Sequence, residues 1–436
     1  MRQNHDWSGA IVRHLYRMDF THTLLRIWRR ISVGGDRVSR TQVKVAPVDF
    51  AVFLRKRLGL SKPYFQKDSF KESVVATLCL WHAGTITHAA ATQALTGLPV
   101  DRKIGFEELM RLSQVSLAVG LFRASLHFME QSWTRMDSII GQKKSTVFHL
   151  YQVKQLMYRG RIAEARIEFD NLIRSARHSV SDSQANQLGL YFSWSLKLSD
   201  AEREMLRAKT DRQGWRDFIR NRDVVIVGPG VVTELPKLNQ GFRVVRILGP
   251  GRFKWDDPED ICENRTDAVY TIPENVSADK LQAEPFLLEH LSQHTFVNVK
   301  RYNTLGTRNS RAVSNFSFLF EFGHPLMVPL AILDILFHGG RPVVLGSDFF
   351  QSSVAYRTAE RRKKRGRLHA ESGSEGGAFD RSALMASHNI FENWSLIKNL
   401  AHAGLVRGDA SFTRSIELSR KELFATYDEV IGINRL

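Results

Sequence analysis

The chain has little cysteine and no long apolar run. Only two of its 436 residues are cysteines, Cys79 and Cys262, and they lie far apart. Their spacing matches neither a disulfide framework nor a zinc site. No run of about 18 apolar residues occurs, so we expect no membrane-spanning helix. The first residues lack the charged-then-apolar layout of a secretory signal. These absences predict a cytoplasmic protein.

Acidic residues are also scarce relative to basic ones. Lysine and arginine number 62 against 45 aspartates and glutamates, a formal net charge of +17. Such a field attracts polyanions, which include nucleic acids, anionic lipids and phosphorylated nucleotides. Within an N-terminal arm (1–46), segment 22–33 alternates basic and apolar residues at helical spacing. This arm either lies peripherally on an anionic inner-membrane surface or packs on the rest of the protein.

Segment 47–215 is predicted to be an all-helical domain. Leu109, Leu112 and Val115 recur at helical spacing, and a glycine at 120 separates this helix from the next. Gly160 punctuates a second, similar pair of helices. The two pairs loosely resemble tetratricopeptide (TPR) hairpins, but the full consensus is missing and only two units occur, so an irregular helical bundle fits better. Either arrangement predicts a docking surface for a protein partner.

Segment 216–436 follows a different pattern and predicts an α/β domain. Short β-branched runs alternate with longer helical stretches, which indicates a Rossmann-like, doubly wound parallel sheet. Strands are expected at 224–227, 243–247, 268–271, 295–299 and 343–345, and helices at 278–291, 325–337, 389–403 and 421–430. Ser419 and Glu422 form a capping-box pattern before the last helix. Ligands of such sheets bind beyond the carboxyl ends of the strands.

Two strand-to-glycine turns lie at that expected edge. Gly228, Pro229 and Gly230 follow the first strand and permit close approach of the backbone to a phosphate, although the third glycine of a dinucleotide fingerprint is missing. The second turn follows the strand at 343–345 and includes a carboxylate, which at a strand end either contacts a ligand or caps a turn. Its residues are Gly346, Ser347, Asp348, Phe349 and Phe350.

The stretch after the second turn completes the candidate site. Tyr356 is followed by a basic and glycine-rich segment, 357–386, which we interpret as a mobile lid over a phosphate-bearing ligand. His388 then stands at the start of a helix. No recognition helix, zinc spacing or pattern of stacking aromatics accompanies the basic run, so we expect no specific nucleic-acid binding.

Residues 222–404 resemble the bacterial CMP-sialic-acid-dependent sialyltransferases that modify lipooligosaccharide. The closest match is the run from Gly346 to Tyr356, where the family has Gly-X-Asp-Phe-Tyr-Gln and a second tyrosine six residues after the first. Phe350 stands where the family has the first tyrosine. Pro229 and Ile272 replace two family asparagines, and His324 lies near the position of a phosphate-binding serine.

The resemblance implies an inverting glycosyltransferase. His388 would be the general base, Tyr356 would stabilise the departing CMP phosphate, and the two turns would bind the nucleotide. The implied substrates are a CMP-sugar donor and an acceptor oligosaccharide or glycolipid. No Asp-X-Asp metal motif is present, so we expect neither metal nor cofactor. Two alternatives stay open: a non-catalytic nucleotide-binding scaffold of surface-glycan assembly, and a phosphotransferase like the pterin pyrophosphokinases.

Overall fold

The computed structural model describes a little over half of the chain. The described residues are 69–139 except 83 and 101–103; 146–196 except 177–179; 213–248 except 229, 231, 233 and 235; 266–271; 295–298; 310–351 except 315 and 322–324; 385; and 388–432. Every structural statement below refers to these residues.

Twelve α-helices and seven strands form within them. The helices are α1 Ser69–His82, α2 His88–Thr96, α3 Phe106–Ala118, α4 Phe122–Asp137, α5 Thr146–Tyr158, α6 Ile162–Ala176, α7 Asp182–Ser195, α8 Gln213–Ile219, α9 Met327–Phe337, α10 Ile390–His402, α11 Ala410–Glu417 and α12 Arg420–Gly432. The strands are β1 Asp223–Val227, β2 Arg243–Leu248, β3 Ala268–Thr271, β4 Thr295–Asn298, β5 Ser310–Ala312, β6 Arg341–Leu345 and β7 Arg407–Gly408. None of the helices described is long and apolar enough to cross a bilayer.

The chain divides into two compact units. The first comprises Met1–Val147, Leu368–Asn389 and Ser419–Leu436, and the second comprises Phe148–Arg367 and Ile390–Leu418. The predicted boundary near residue 215 does not coincide with this division. Helices α5 to α7 belong with the sheet, and α12 belongs with α1 to α4.

The first unit is a bundle of helices. The predicted apolar face of α3 is confirmed, since Leu109, Leu112 and Val115 are buried in one core with Phe128 of α4. The turn between α3 and α4 requires a glycine, because Gly120 has a φ of 81°.

The last helix, α12, completes the first unit. The predicted capping box at its start is present: the Ser419 N–H donates to Glu422 Oε2 at 2.7 Å, and the Glu422 N–H donates to Ser419 Oγ at 3.3 Å. Near its end, Asp428 Oδ1 accepts a hydrogen bond from the Phe122 N–H at 3.1 Å. Tyr427 is fully buried and its ring lies 5.4 Å from that of Phe122.

The second unit is built on an all-parallel sheet, as predicted. The strand order is β5-β4-β3-β2-β1-β6-β7. Every neighbouring pair is parallel. The five predicted strands are present, whereas β5 and β7 were not predicted because they have only three and two residues. All of β1 is buried, as expected of a central strand covered on both faces. The helix predicted at 278–291 lies outside the described residues.

Buried polar contacts explain why α5 and α7 belong with the sheet. Lys154 on α5 and Glu321 form an ion pair at 2.9 Å, with both side chains almost fully buried. The Tyr158 hydroxyl donates to the Leu319 carbonyl at 2.6 Å. On α7, the Tyr191 hydroxyl donates to the Leu396 carbonyl of α10 at 3.0 Å. These polar groups are no longer hydrated, so the free energy of unfolding of this unit depends on their keeping their hydrogen-bond and ion-pair partners.

Candidate functional site

The strand order reverses direction between β1 and β6. From β1 the chain continues to β2 on one side, and from β6 it continues to β7 on the other. In open parallel sheets the loops leaving two such strands diverge, and ligands bind outside the carboxyl ends at this point. The residues that follow these ends are Gly228 and Gly346, the first residues of the two predicted turns.

The glycines of the two turns pack directly against each other. The Gly228 N–H donates to the Leu345 carbonyl at 2.8 Å, and the Gly230 N–H donates to the Gly346 carbonyl at 2.7 Å. A Cβ at Gly228 would lie only 2.6 Å from the Gly346 oxygen, and a Cβ at Gly346 only 2.6 Å from the Gly230 oxygen. The glycines therefore allow the two loops to touch. The N–H groups of Gly228 and Gly230 donate hydrogen bonds to backbone carbonyls. Binding of a phosphate by this turn stays a prediction.

The donor loop, our name for residues 346–351, has a tightly wound backbone. Asp348 Oδ1 accepts a hydrogen bond from the Phe350 N–H at 3.0 Å, which is the Asx turn that we weighed against a ligand contact. Phe349 and Phe350 have φ values of 51° and 66°. Such conformations cost non-glycine residues about 1–3 kcal/mol each and persist only where the surroundings enforce them. Strain of this kind concentrates at functional sites.

Asp409 is the main residue of this edge that sequence reasoning missed. It follows β7, is only 1% exposed, and caps α11 by accepting the Phe412 N–H at 2.9 Å on Oδ1. Its Oδ2 accepts the Gly346 N–H at 2.8 Å. Burial raises the pKa of its carboxyl, and the nearby Asp348 and Glu234 raise it further. An aspartate before a short helical pattern is a helix-cap signal, but its contact with residue 346 has no signature in the sequence.

The other predicted site residues stay predictions. Tyr356, Pro229 and His324 lie outside the described residues, as does the lid at 357–386 apart from the buried Met385. His388 is described and partly buried, but it belongs to the first unit, whereas both turns belong to the second. The assignment of His388 as a base therefore stays a prediction.

A buried polar network lies between the sheet and α9. Asp334, fully buried, accepts hydrogen bonds from the Tyr270 hydroxyl at 2.7 Å and from the Ser314 N–H at 2.9 Å. His338 Nε2 lies 3.3 Å from Ser314 Oγ and 3.8 Å from Asp334 Oδ1. In a nucleophilic triad the serine and the carboxylate contact opposite nitrogens of the ring. Here both face Nε2, so the arrangement anchors α9 to the sheet.

Asp223 also has a structural role, at the amino ends of the strands. Its carboxylate, 1% exposed, joins the starts of three strands by accepting hydrogen bonds from Arg341 at 3.1 Å and from Arg407 at 2.7 Å. In the part of the chain that the structure describes, no three His, Cys, Asp or Glu side chains are grouped so that they could hold a metal ion.

The sequence matches no protein-family model. No curated protein and no solved structure is significantly similar to it.

Proposed function

We propose that this chain is a glycosyltransferase that uses a CMP-activated acidic sugar, such as sialic acid. The observation that carries the proposal is the reversal of strand order between β1 and β6, at whose carboxyl ends two glycine turns and a strained loop meet. Nucleotides bind at this point of doubly wound sheets. The resemblance of residues 346–356 to the bacterial sialyltransferases indicates that the nucleotide is CMP.

The proposed reaction is a single inverting displacement. The acceptor hydroxyl oxygen attacks the anomeric carbon of the donor sugar, and His388 removes the hydroxyl proton. The bond from that carbon to the CMP phosphate oxygen breaks, and CMP leaves with the electron pair. An imidazole suits the base because it titrates near neutral pH. The Tyr356 phenol would donate a hydrogen bond to the departing phosphate.

The acceptor and the location belong to the same proposal. An oligosaccharide or a glycolipid of the cell surface would supply the hydroxyl, and the basic arm at 1–46 would hold the protein on the inner membrane. The helical segment would bind a protein partner.

Binding of the nucleotide is the first test. Thermal unfolding is measured with CMP, UMP, GDP and ATP, the last with and without Mg²⁺. CMP at about 100 times its Kd should stabilise the protein by about 2.7 kcal/mol, with little effect of the others. Stabilisation by ATP only in the presence of Mg²⁺ would instead indicate a phosphotransferase.

The base is tested by substitution. His388→Ala should reduce release of CMP from a CMP-sugar in the presence of acceptor by about 10²–10⁴-fold. The matched control is His402→Ala, which removes an exposed histidine at the end of α10 and should leave the rate unchanged. Near-normal turnover by His388→Ala refutes the assignment. Tyr356→Phe should lower the rate less.

A non-catalytic nucleotide-binding scaffold is the second candidate. The observation in its favour is that the N–H groups of Gly228 and Gly230 donate to backbone carbonyls. On this view the glycines serve only the packing of the two loops. CMP binding without any release of CMP from a CMP-sugar, under all acceptor conditions, would support it.

A further inference from the structure

We propose that Asp409 is the positioning residue of the donor loop. Its carboxylate holds the loop in its strained conformation before a nucleotide binds. The ligand part of this proposal rests on the proposed function, whereas the effect of Asp409 on the loop does not.

Asp409 joins the donor loop to α11 through two charge-assisted hydrogen bonds. One oxygen accepts the Gly346 N–H at 2.8 Å, at the residue where the chain leaves β6. The other accepts the Phe412 N–H at 2.9 Å, in the first turn of α11. The Asp409 N–H also donates to the Val344 carbonyl at 3.0 Å, which extends the pairing of β7 with β6. The side chain is thus fixed on both sides and 1% exposed.

The helix α11 also supports one of the two strained phenylalanines. Phe349, 3% exposed, packs its ring 6.3 Å from that of Phe412, whose N–H is bound by Asp409. One carboxylate therefore orients Gly346 directly and Phe349 indirectly. Three residues of the loop, Gly346, Phe349 and Phe350, have positive φ values of 60°, 51° and 66°. Glycine adopts this conformation readily, whereas the two phenylalanines need restraints from outside the loop.

A preformed loop would favour binding of the nucleotide, because the conformational entropy of the loop is already lost when the protein folds and is not lost again on binding. If Asp409 supplies this order, its loss should weaken nucleotide affinity and raise KM for the donor more than it lowers kcat. The peptide N–H of Gly346 would also lose its partner and exchange faster with solvent deuterium.

The experiment compares three variants of the full chain by hydrogen exchange and by CMP binding. Asp409→Ala removes both hydrogen bonds. Asp409→Ser keeps an oxygen that can cap α11 through Phe412 but is too short to hold Gly346 as well. Ser181→Ala is the matched control: it removes a cap from α7, in the same unit, where Ser181 accepts the Gln184 N–H.

Asp409→Ser should speed exchange of the peptide covering residues 341–351 about tenfold while that of α11 changes little. Its Kd for CMP should rise about tenfold, whereas Ser181→Ala should change neither quantity. Exchange of the loop equal to that of the wild type would overturn the role of Asp409. Faster exchange with unaltered CMP affinity would overturn its link to the ligand. Failure of the wild type to bind CMP would overturn the proposed function, and the exchange rates would then decide the structural role alone.

Discussion

The stability of the sheet unit depends on its buried charges staying paired. Lys154 is the clearest case: its ammonium pairs with Glu321 at 2.9 Å and lies 3.9 Å from the centroid of the Phe318 ring. Nearby, burial raises the pKa of the Tyr158 phenol well above its usual value, and the carboxylates of Glu392 and Glu321 raise it further. This phenol therefore stays neutral and keeps its hydrogen bond to Leu319 at any ordinary pH.

Replacement of Lys154 by Met should lower the free energy of unfolding by about 3–5 kcal/mol, because Glu321 would stay buried and lose its ion pair with the ammonium. Arg161→Ala, which breaks an exposed pair with Glu164 in the same unit, should cost less than about 1 kcal/mol. Urea unfolding measures both values. The double variant Lys154→Met/Glu321→Leu should regain most of the loss, and a loss below about 1 kcal/mol for Lys154→Met would contradict the argument.

The Asp409 carboxyl should make stability depend on pH. Its folded-state pKa is raised, so the folded protein retains this proton at pH values where the unfolded chain has released it. Its contribution is complete below the unfolded pKa of about 4 and is lost as the pH rises through the folded pKa. The difference in unfolding free energy between wild type and Asp409→Asn should therefore fall with rising pH. Urea titrations from acidic to neutral pH test this, and a constant difference would contradict it.

At the scale of elements, the strands β1 and β6 are joined by backbone contact between their following turns. The mutual approach of Gly228, Gly230 and Gly346 leaves no room for side chains. The positive φ of Gly346 adds a second constraint at the same position. Contact between these turns thus joins β1 and β6, which are far apart in sequence, at the edge where ligands of such sheets bind.

Gly346→Ala should destabilise the protein by more than about 2 kcal/mol, since it combines a left-handed backbone with a clash against a carbonyl oxygen. The matched control is Gly214→Ala in α8, where a Cβ meets nothing within 4 Å. It should be neutral or stabilise by up to about 1 kcal/mol, because alanine favours helices. Thermal unfolding of both variants checks the prediction, which equal melting temperatures would contradict.

At the scale of the whole molecule, the chain order and the compact units differ. The helix α12 is last in sequence but belongs with the first helices, through Asp428 and the ring of Tyr427. Of the two glycine-punctuated hairpins, α3–α4 falls in the first unit and α5–α6 almost entirely in the second. Their likeness to TPR hairpins stays a prediction.

Truncation after Leu418 tests this connection. Loss of the buried aromatic residues of α12 should destabilise the first unit by at least about 3–5 kcal/mol. Amides of α4 should then exchange rapidly, while those of β1 and β6 keep their protection. Truncation after residue 432, which leaves α12 whole, is the control. Unchanged protection of α4 after the longer truncation would contradict the assignment of α12.

Local patterns in the chain were enough to predict several of the elements. The β-branched run at 224–227, the helical spacing of 106–119 and the Ser419–Glu422 box each specify a structure through contacts between near neighbours, and each is present. The parallel sheet followed from the alternation of strands and helices. What these patterns could not reveal depends on contacts across long sequence separations. Lys154 pairs with a residue 167 positions away, and Asp409 with one 63 positions away. Burial removes water from each of these charged or polar groups, so each needs a hydrogen-bond partner inside the protein. Which residue lies close enough to be that partner is decided by the tertiary structure.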